Sequence, residues 1–226
     1  MVRGYFVTGT DTEVGKTFMT QAMMQIALQL RKTVVGYKPV AAGCVVTEHG
    51  LRNEDAVCLQ QSSSFRIPYD QINPYAFEEP AAPHLAAERV KEKICLKTIA
   101  DGYERLRRKE PDLLFVEGAG GWRLPLGDGQ FMSDFVISHE LPVILVVGVR
   151  LGCLNHACLT MESIQKDGLK IAGWIANHRD NSMPFLTENI QTLKSLIDAP
   201  FLGEVPMVLS PKEARHYLDI SPLLHY

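Results

Sequence analysis

The sequence predicts a doubly wound α/β fold, a mostly parallel sheet with helices on both faces, formed as one nucleotide-binding domain over residues 1–226. Three observations carry that expectation. Short apolar runs are hydrophobic without alternation, which implies burial on both faces, as in parallel sheets. They are separated by stretches whose apolar residues recur at helical spacing. The first run passes into the first helical stretch through a junction spelled Gly15-Lys16-Thr17.

Taken in order, Tyr5-Phe6-Val7 is the first strand, and Gly9-Thr10-Asp11-Thr12-Glu13-Val14-Gly15-Lys16-Thr17 follows it as a phosphate-binding loop. In that P-loop NTPase type of arrangement the backbone N–H groups turn inward, Lys16 reaches the β and γ phosphates, and the Thr17 hydroxyl suits Mg²⁺. The helix that starts here presents its positive end to the same anion. The loop departs from the usual spelling in one respect, because Thr10 stands where the first glycine is required and Gly9 comes one residue early. Met19, Met23, Ile26, Ala27 and Leu30 give the first helix its apolar stripe, and Thr33 to Tyr37 form the second strand. Residues 40–93, rich in Gly, Ser and Pro, read as a long excursion over the carboxyl edge of the sheet, where such folds bind ligands. Ile99, Tyr103 and Leu106 mark a helix that ends before Pro111, and Leu113 to Val116 form the third strand. The fourth strand is Val143 to Val147, followed by a helix through Ala157, Cys158, Met161 and Ile164 that Gly168 stops. Ile171 to Ile175 is the fifth strand, Ile190, Leu193 and Ile197 lie on the last helix, and Phe201-Leu202 is the sixth run.

Composition narrows the function classes. Of 226 residues, 46% are hydrophobic and 22% charged, enough for one sizeable core. A net charge of −3 gives no global field for nucleic acid or an anionic membrane. The longest apolar run, Pro142 to Val149, is too short to span a bilayer, and the loop begins too early for a signal peptide to precede it. Five cysteines without a C-x-x-C pair argue against a disulfide framework or a zinc site and fit a cytoplasmic protein.

Several polar residues fall where strands end. Glu117 opens Glu117-Gly118-Ala119-Gly120-Gly121 after the third strand; it is placed either to reach a P-loop metal beside a phosphate-approaching turn, or simply as an exposed acid. Asp55, in Leu51-Arg52-Asn53-Glu54-Asp55-Ala56, is either a second Mg²⁺ carboxylate or part of a solvated face. Lys38 is either a second cation for the transferring phosphoryl group or a strand-end lysine covering apolar surface. Asn177, in Ala176-Asn177-His178-Arg179-Asp180, follows the fifth strand, where it suits either a nucleobase edge or ordinary loop chemistry. The same stretch is spelled like the guanine-reading N-K-x-D, with His178 for the lysine. Gly152-Cys153-Leu154-Asn155-His156-Ala157 leads into a helix that Asn155 would cap, and uncapped N–H groups there would suit a carboxylate.

Residues 5–17, Gly36-Tyr37-Lys38-Pro39-Val40, Leu51 to Ala56, Asn73-Pro74-Tyr75, Val116 to Trp122, Leu141 to Gly148, Gly152 to Ala157 and Gly173 to Asn177 together resemble the dethiobiotin synthetase family of biotin biosynthesis, in order and from residue 5 to about 206. That family keeps five residues between the two loop glycines, which accounts for the early Gly9. The resemblance implies a ligase that takes ATP as co-substrate and needs Mg²⁺. One amine of 7,8-diaminopelargonate takes up CO₂ as a carbamate, the carbamate attacks the γ-phosphate, and the second amine closes the cyclic urea. It further implies Thr17, Asp55 and Glu117 as metal ligands, and Lys16, Lys38 and Thr12 as the catalytic set, with Thr12 and Lys38 against the carbamate. Glu13, Val14, Gly15, Lys16, Thr17 and Phe18 would hold the nucleotide with Gly118, Ala119 and Gly120. Asn177 would meet the adenine, with His178 beside it, and Pro206, Met207, Val208 and Glu213 would close over the nucleoside. The implied homodimer shares its sites, Gly152, Cys153, Leu154 and Asn155 of one chain receiving the substrate carboxylate at the other chain's site. Ala42 departs from the pattern, standing where a serine lies near the substrate, as does the loosely matching tail from Leu209 to Glu213.

Two other classes share such a loop. ATPase switches that position partners carry a second lysine near its start, absent from Gly9-Thr10-Asp11 here. GTPases need a D-x-x-G switch after the third strand, which this chain lacks.

Overall fold

The structure, a computed structural model, describes residues 2–180 and 183–225. Six strands form the central sheet: β1 (Arg3–Gly9), β2 (Val34–Tyr37), β3 (Leu113–Glu117), β4 (Val143–Val149), β5 (Ile171–His178) and β6 (Phe201–Val205). Their spatial order is β6-β5-β4-β1-β3-β2, and every pairing is parallel. β3 and β4 are buried along their whole length, which explains their unbroken hydrophobicity.

Alternate strand residues feed opposite layers. Tyr5 and Val7 pack with Met19, Met23 and Ala27 of α1 (Lys16–Gln29) on one face. Phe6, Leu114 and Val116 pack on the other with Ile99, Tyr103 and Leu106 of α3 (Leu96–Arg107). Beyond β4, α5 (Cys153–Lys166) and α6 (Leu186–Leu196) cover Leu145, Val147 and Trp174. The chain runs from β1 outward to β2, returns to β3, then crosses to β4 on the other side of β1. That reversal opens a crevice at the carboxyl ends of β1, β3 and β4, the position in which open α/β sheets bind ligands.

Several elements differ from the sequence reading. Residues 40–93 do pass over the carboxyl edge, but they are not featureless. They hold α2 (Glu54–Ser62), two shorter helices (Tyr69–Ile72 and Pro83–Arg89) and the hairpin Val45–Thr47 with Gly50–Arg52. α2 starts where the Asn53 side chain accepts a hydrogen bond from the Ala56 N–H at 3.2 Å. α4 (Met132–Ser138) also had no expectation. Leu30 lies past the end of α1 and is half exposed, so it is not part of that helix's buried stripe. β5 extends three residues further than its β-branched run, so Asn177 and His178 are buried strand residues rather than loop residues. Asn155 does not cap α5. Gly152 does, at φ 92, which leaves Asn155 inside the first turn. The left-handed turn that a glycine allows has replaced the side-chain cap.

Candidate active site

The phosphate loop is anchored to the sheet before any ligand enters. The Thr10 N–H donates to Val146 O at 3.0 Å, and Arg150 pairs with the Asp11 carboxylate, which also accepts from the Thr12 N–H at 2.7 Å. Glu13 and Gly15 take positive φ angles of 59° and 89°. A Cβ on Gly15 would run into the Asn177 amide, so glycine is required there twice over. Asn177 Nδ2 donates to Val14 O at 2.7 Å, bracing the loop from below.

Lys16 opens α1 and is only 7% exposed, its Nζ donating to Asp11 O at 3.1 Å. Burial lowers its pKa to about 8, and the Lys38 charge pushes the same way against the pull of Glu117, Asp55 and Asp11.

Lys38 is not a strand-end lysine with its head in water. It is buried, and its ammonium donates to Glu117 Oε1 at 2.7 Å, Asp55 Oδ2 at 3.1 Å and Gly118 O at 3.2 Å. Burial disfavours its charge, but the two carboxylates outweigh that and hold its pKa above the ordinary value. Glu117, fully buried at the end of β3, accepts from the Thr17 hydroxyl at 2.5 Å as well, and its Oε2 has no partner among the described residues. It is therefore no surface acid. Asp55 sits in the first turn of α2, where burial opposes its ionisation. The Lys38 charge, the Thr17 hydroxyl and Lys16 prevail and keep its pKa below normal. Thr17, Asp55 and Glu117 thus meet as an all-oxygen group around one lysine.

Thr17, Lys38 and Asp55 border a cavity of about 930 Å³, and Glu117 is buried behind them rather than on its lining. Thr12, Glu13, Gly15, Lys16, Thr17 and Phe18 line one side, with Lys38, Asp55, Ala119 and Gly120 across from them. Gly118 lies against Phe6 beneath that wall, and Ala42 is part of the lining. The sequence reading missed Asn53, the run Pro80-Ala81-Ala82-Pro83, Leu124 and Arg179, all on the cavity surface. Asn53 had a usable signal, the start of a helix at Asn-Glu-Asp, Pro80 to Pro83 lay within the excursion over the carboxyl edge, and Arg179 stood in the stretch after the fifth strand; Leu124 had none.

Other expected residues do not line this cavity. His178 pairs with Glu204 at 3.1 Å across β5 and β6. Pro206, Met207 and Val208 follow β6, with Met207 exposed and Val208 packed toward α1. Both Glu213 oxygens bond within their own turn, to Ser210 Oγ at 3.2 Å and Leu209 N–H at 3.3 Å. Gly152, Cys153, Leu154 and Asn155 form the start of α5, away from the lining. Among the described residues no helix is long and apolar enough to cross a membrane.

A family model described as an AAA domain matches residues 3–214. The ATP-dependent dethiobiotin synthetase BioD of Aeromonas salmonicida is 49% identical, covering 99% of this chain and 100% of that protein. The ATP-dependent dethiobiotin synthetase BioD 1 of Salmonella typhimurium is 47% identical, covering 99% of each. Among solved structures, the septum site-determining protein MinD of Pyrococcus horikoshii, complexed with Mg-ADP, overlays with a TM-score of 0.57 at 16% identity. The overlay covers 91% of this chain and 82% of that one. At that identity the likeness is one of fold alone. The relatives that match end to end decide the family, and this chain belongs to the ATP-dependent dethiobiotin synthetases.

Proposed function

We propose that this protein closes the cyclic urea of dethiobiotin from 7,8-diaminopelargonate and CO₂, converting ATP to ADP and phosphate. The observation that supports this most is the buried Lys38 held by Glu117 and Asp55 at the γ-phosphate end of the loop, beside Lys16. A carbamate oxygen attacking phosphorus adds negative charge between two lysines that are already oriented, so little reorganisation is needed. The Lys38 ammonium has three protons and uses all three on protein oxygens. Engaging a carbamate means exchanging one of them, and the contact to the half-exposed Asp55 is the most accessible. Thr12, beside Gly120, would sit against the same carbamate.

The orphaned Glu117 Oε2 and the purely oxygen donor set suit a hard cation. Thr17, Asp55 and Glu117 would hold Mg²⁺, which supplies neutralisation of the triphosphate. Asp55→Asn is expected to raise the Mg²⁺ concentration for half-maximal rate, with excess metal restoring part of the activity. An unchanged Mg²⁺ titration with a lower rate would remove Asp55 from the ligand set.

We further place the protein in the cytoplasm as a homodimer in which the start of α5 in one chain receives the substrate carboxylate at the other chain's loop. Within its own chain a Cβ on Gly152 would meet nothing within 4 Å, so Gly152→Val disturbs the start of α5 through backbone strain at φ 92 without a clash inside its own fold. Mixing Lys16→Ala chains with Gly152→Val chains should then rebuild one intact site per heterodimer. No recovery after proven subunit exchange would put both elements in one chain's site.

The function itself is tested by ATP turnover. It should require both the diamine and bicarbonate; turnover unaffected by omitting either would overturn the reading.

A further inference from the structure

The cavity has two ends, and they differ in chemistry. At one end Thr12 lies beside Gly120, whose Cβ position is 3.7 Å from Thr12 Oγ1, and Lys38, Asp55 and Glu117 gather there. At the other end Val14 packs against Gly148, and the stem of Arg179 lies over the same glycine, its Cγ 3.4 Å from the Gly148 Cβ position. Arg179 follows directly on β5, with its N–H held by Val149 O at 3.2 Å. It is exposed and borders the cavity together with Gly15 and Phe18. Among the described residues its guanidinium has no hydrogen-bond or ion-pair partner, whereas Lys16, Lys38 and Arg150, the other cations around the loop, are each engaged.

We propose that Arg179 is a nucleotide-binding residue whose guanidinium packs on the base of the bound nucleoside triphosphate. The inference rests on the nucleotide reading of the loop. If the reacting phosphate lies at the Lys38 end, the phosphates run along the loop and the nucleoside leaves at the opposite end, where Arg179 stands. Asn177 spends one of its two Nδ2 N–H groups on Val14 O and carries no charge. Among the described residues Arg179 is the unengaged cation at this end. A planar guanidinium stacks on a π face as an ammonium does not.

The test compares ATP with inorganic tripolyphosphate by calorimetry on the full chain, for the wild type, Arg179→Ala and Arg179→Lys. A base contact predicts ATP affinity reduced on the order of tenfold in Arg179→Ala, with little rescue by lysine and tripolyphosphate affinity changed less than about twofold. Equal weakening of both ligands, restored by lysine, would make Arg179 a phosphate cation and overturn the proposal. Unchanged ATP affinity would make it a solvated rim residue and overturn it as well. Failure of the wild type to bind either ligand would instead refute the nucleotide reading on which it rests.

Discussion

Lys38→Met is expected to remove both activity and stability, lowering turnover by roughly 10²–10³ and the unfolding free energy by about 3–5 kcal/mol. The rate term comes from losing a preorganised cation where charge builds up on the transferring phosphoryl group. The stability term comes from Glu117, which is fully buried and draws its main compensation from Lys38 at 2.7 Å. Removing one partner of a buried ion pair leaves the other charge without compensation, which is far worse than removing both. Lys38→Met combined with Glu117→Gln should therefore regain most of the stability while remaining inactive. Denaturant titration of the two single variants, the double variant and the wild type gives the coupling between the residues. A coupling near zero would mean that water solvates Glu117 and that the pair has no structural weight.

Lys16→Met should do the opposite to stability. The native pKa of about 8 lies below the 10.5 of a free lysine, chiefly because the ammonium is buried, so the folded state holds this proton less tightly than the unfolded chain. Below pH 8 both states are protonated and the native protein carries the full penalty, roughly 3 kcal/mol. Between pH 8 and 10.5 the unfolded chain binds more protons, so wild-type stability climbs with pH, and above that window the penalty is gone. An uncharged isostere avoids it throughout. Losing the hydrogen bond to Asp11 O, about 1 kcal/mol, reduces the gain without reversing it. Lys16→Met is thus expected to be more stable than wild type at pH 7, with the difference closing as pH approaches 10.5, and slower in turnover by roughly 10²–10³. A variant no more stable than wild type at pH 7, with no trend in pH, would show that the ammonium is effectively solvated. In the proposed function a bound triphosphate would supply the anion that this destabilising charge lacks. At pH 9 nucleotide binding should accordingly take up a proton, measurable in buffers of differing ionisation enthalpy.

The local features of this protein were determined by the sequence. Unbroken runs such as Val143 to Val147 have to be buried on both faces, helical spacing at Met19, Met23 and Ala27 has to face a sheet, and Gly15-Lys16-Thr17 marks where the loop passes into the first helix. The ends of elements were less legible. β5 continues through the polar Asn177 and His178 because its neighbours β4 and β6 supply ladder partners there, at Gly148 and Val149 on one side and Val205 on the other. Hydrophobicity alone carries no sign of that. α2 was hidden by its polar exposed side, having only Ala56 and Leu59 buried in nine residues.

What only the tertiary structure decided was which charges meet. Lys38, Asp55 and Glu117 are far apart in the chain, and each by itself suited a solvated surface as well as a site. Whether a charge is functional or merely exposed depends on its desolvation and its partners, and both are properties of residues brought together from distant segments. The parallel sheet brings the ends of β2 and β3 side by side, α2 folds back over them, and three ambiguous residues become one cluster in which Lys38 and Glu117 are buried and Asp55 is half-exposed. Arg179 stood in a stretch that the sequence marked for Asn177 and His178, and its own place at the rim follows from the register of β5 against β4 and the packing of Gly148.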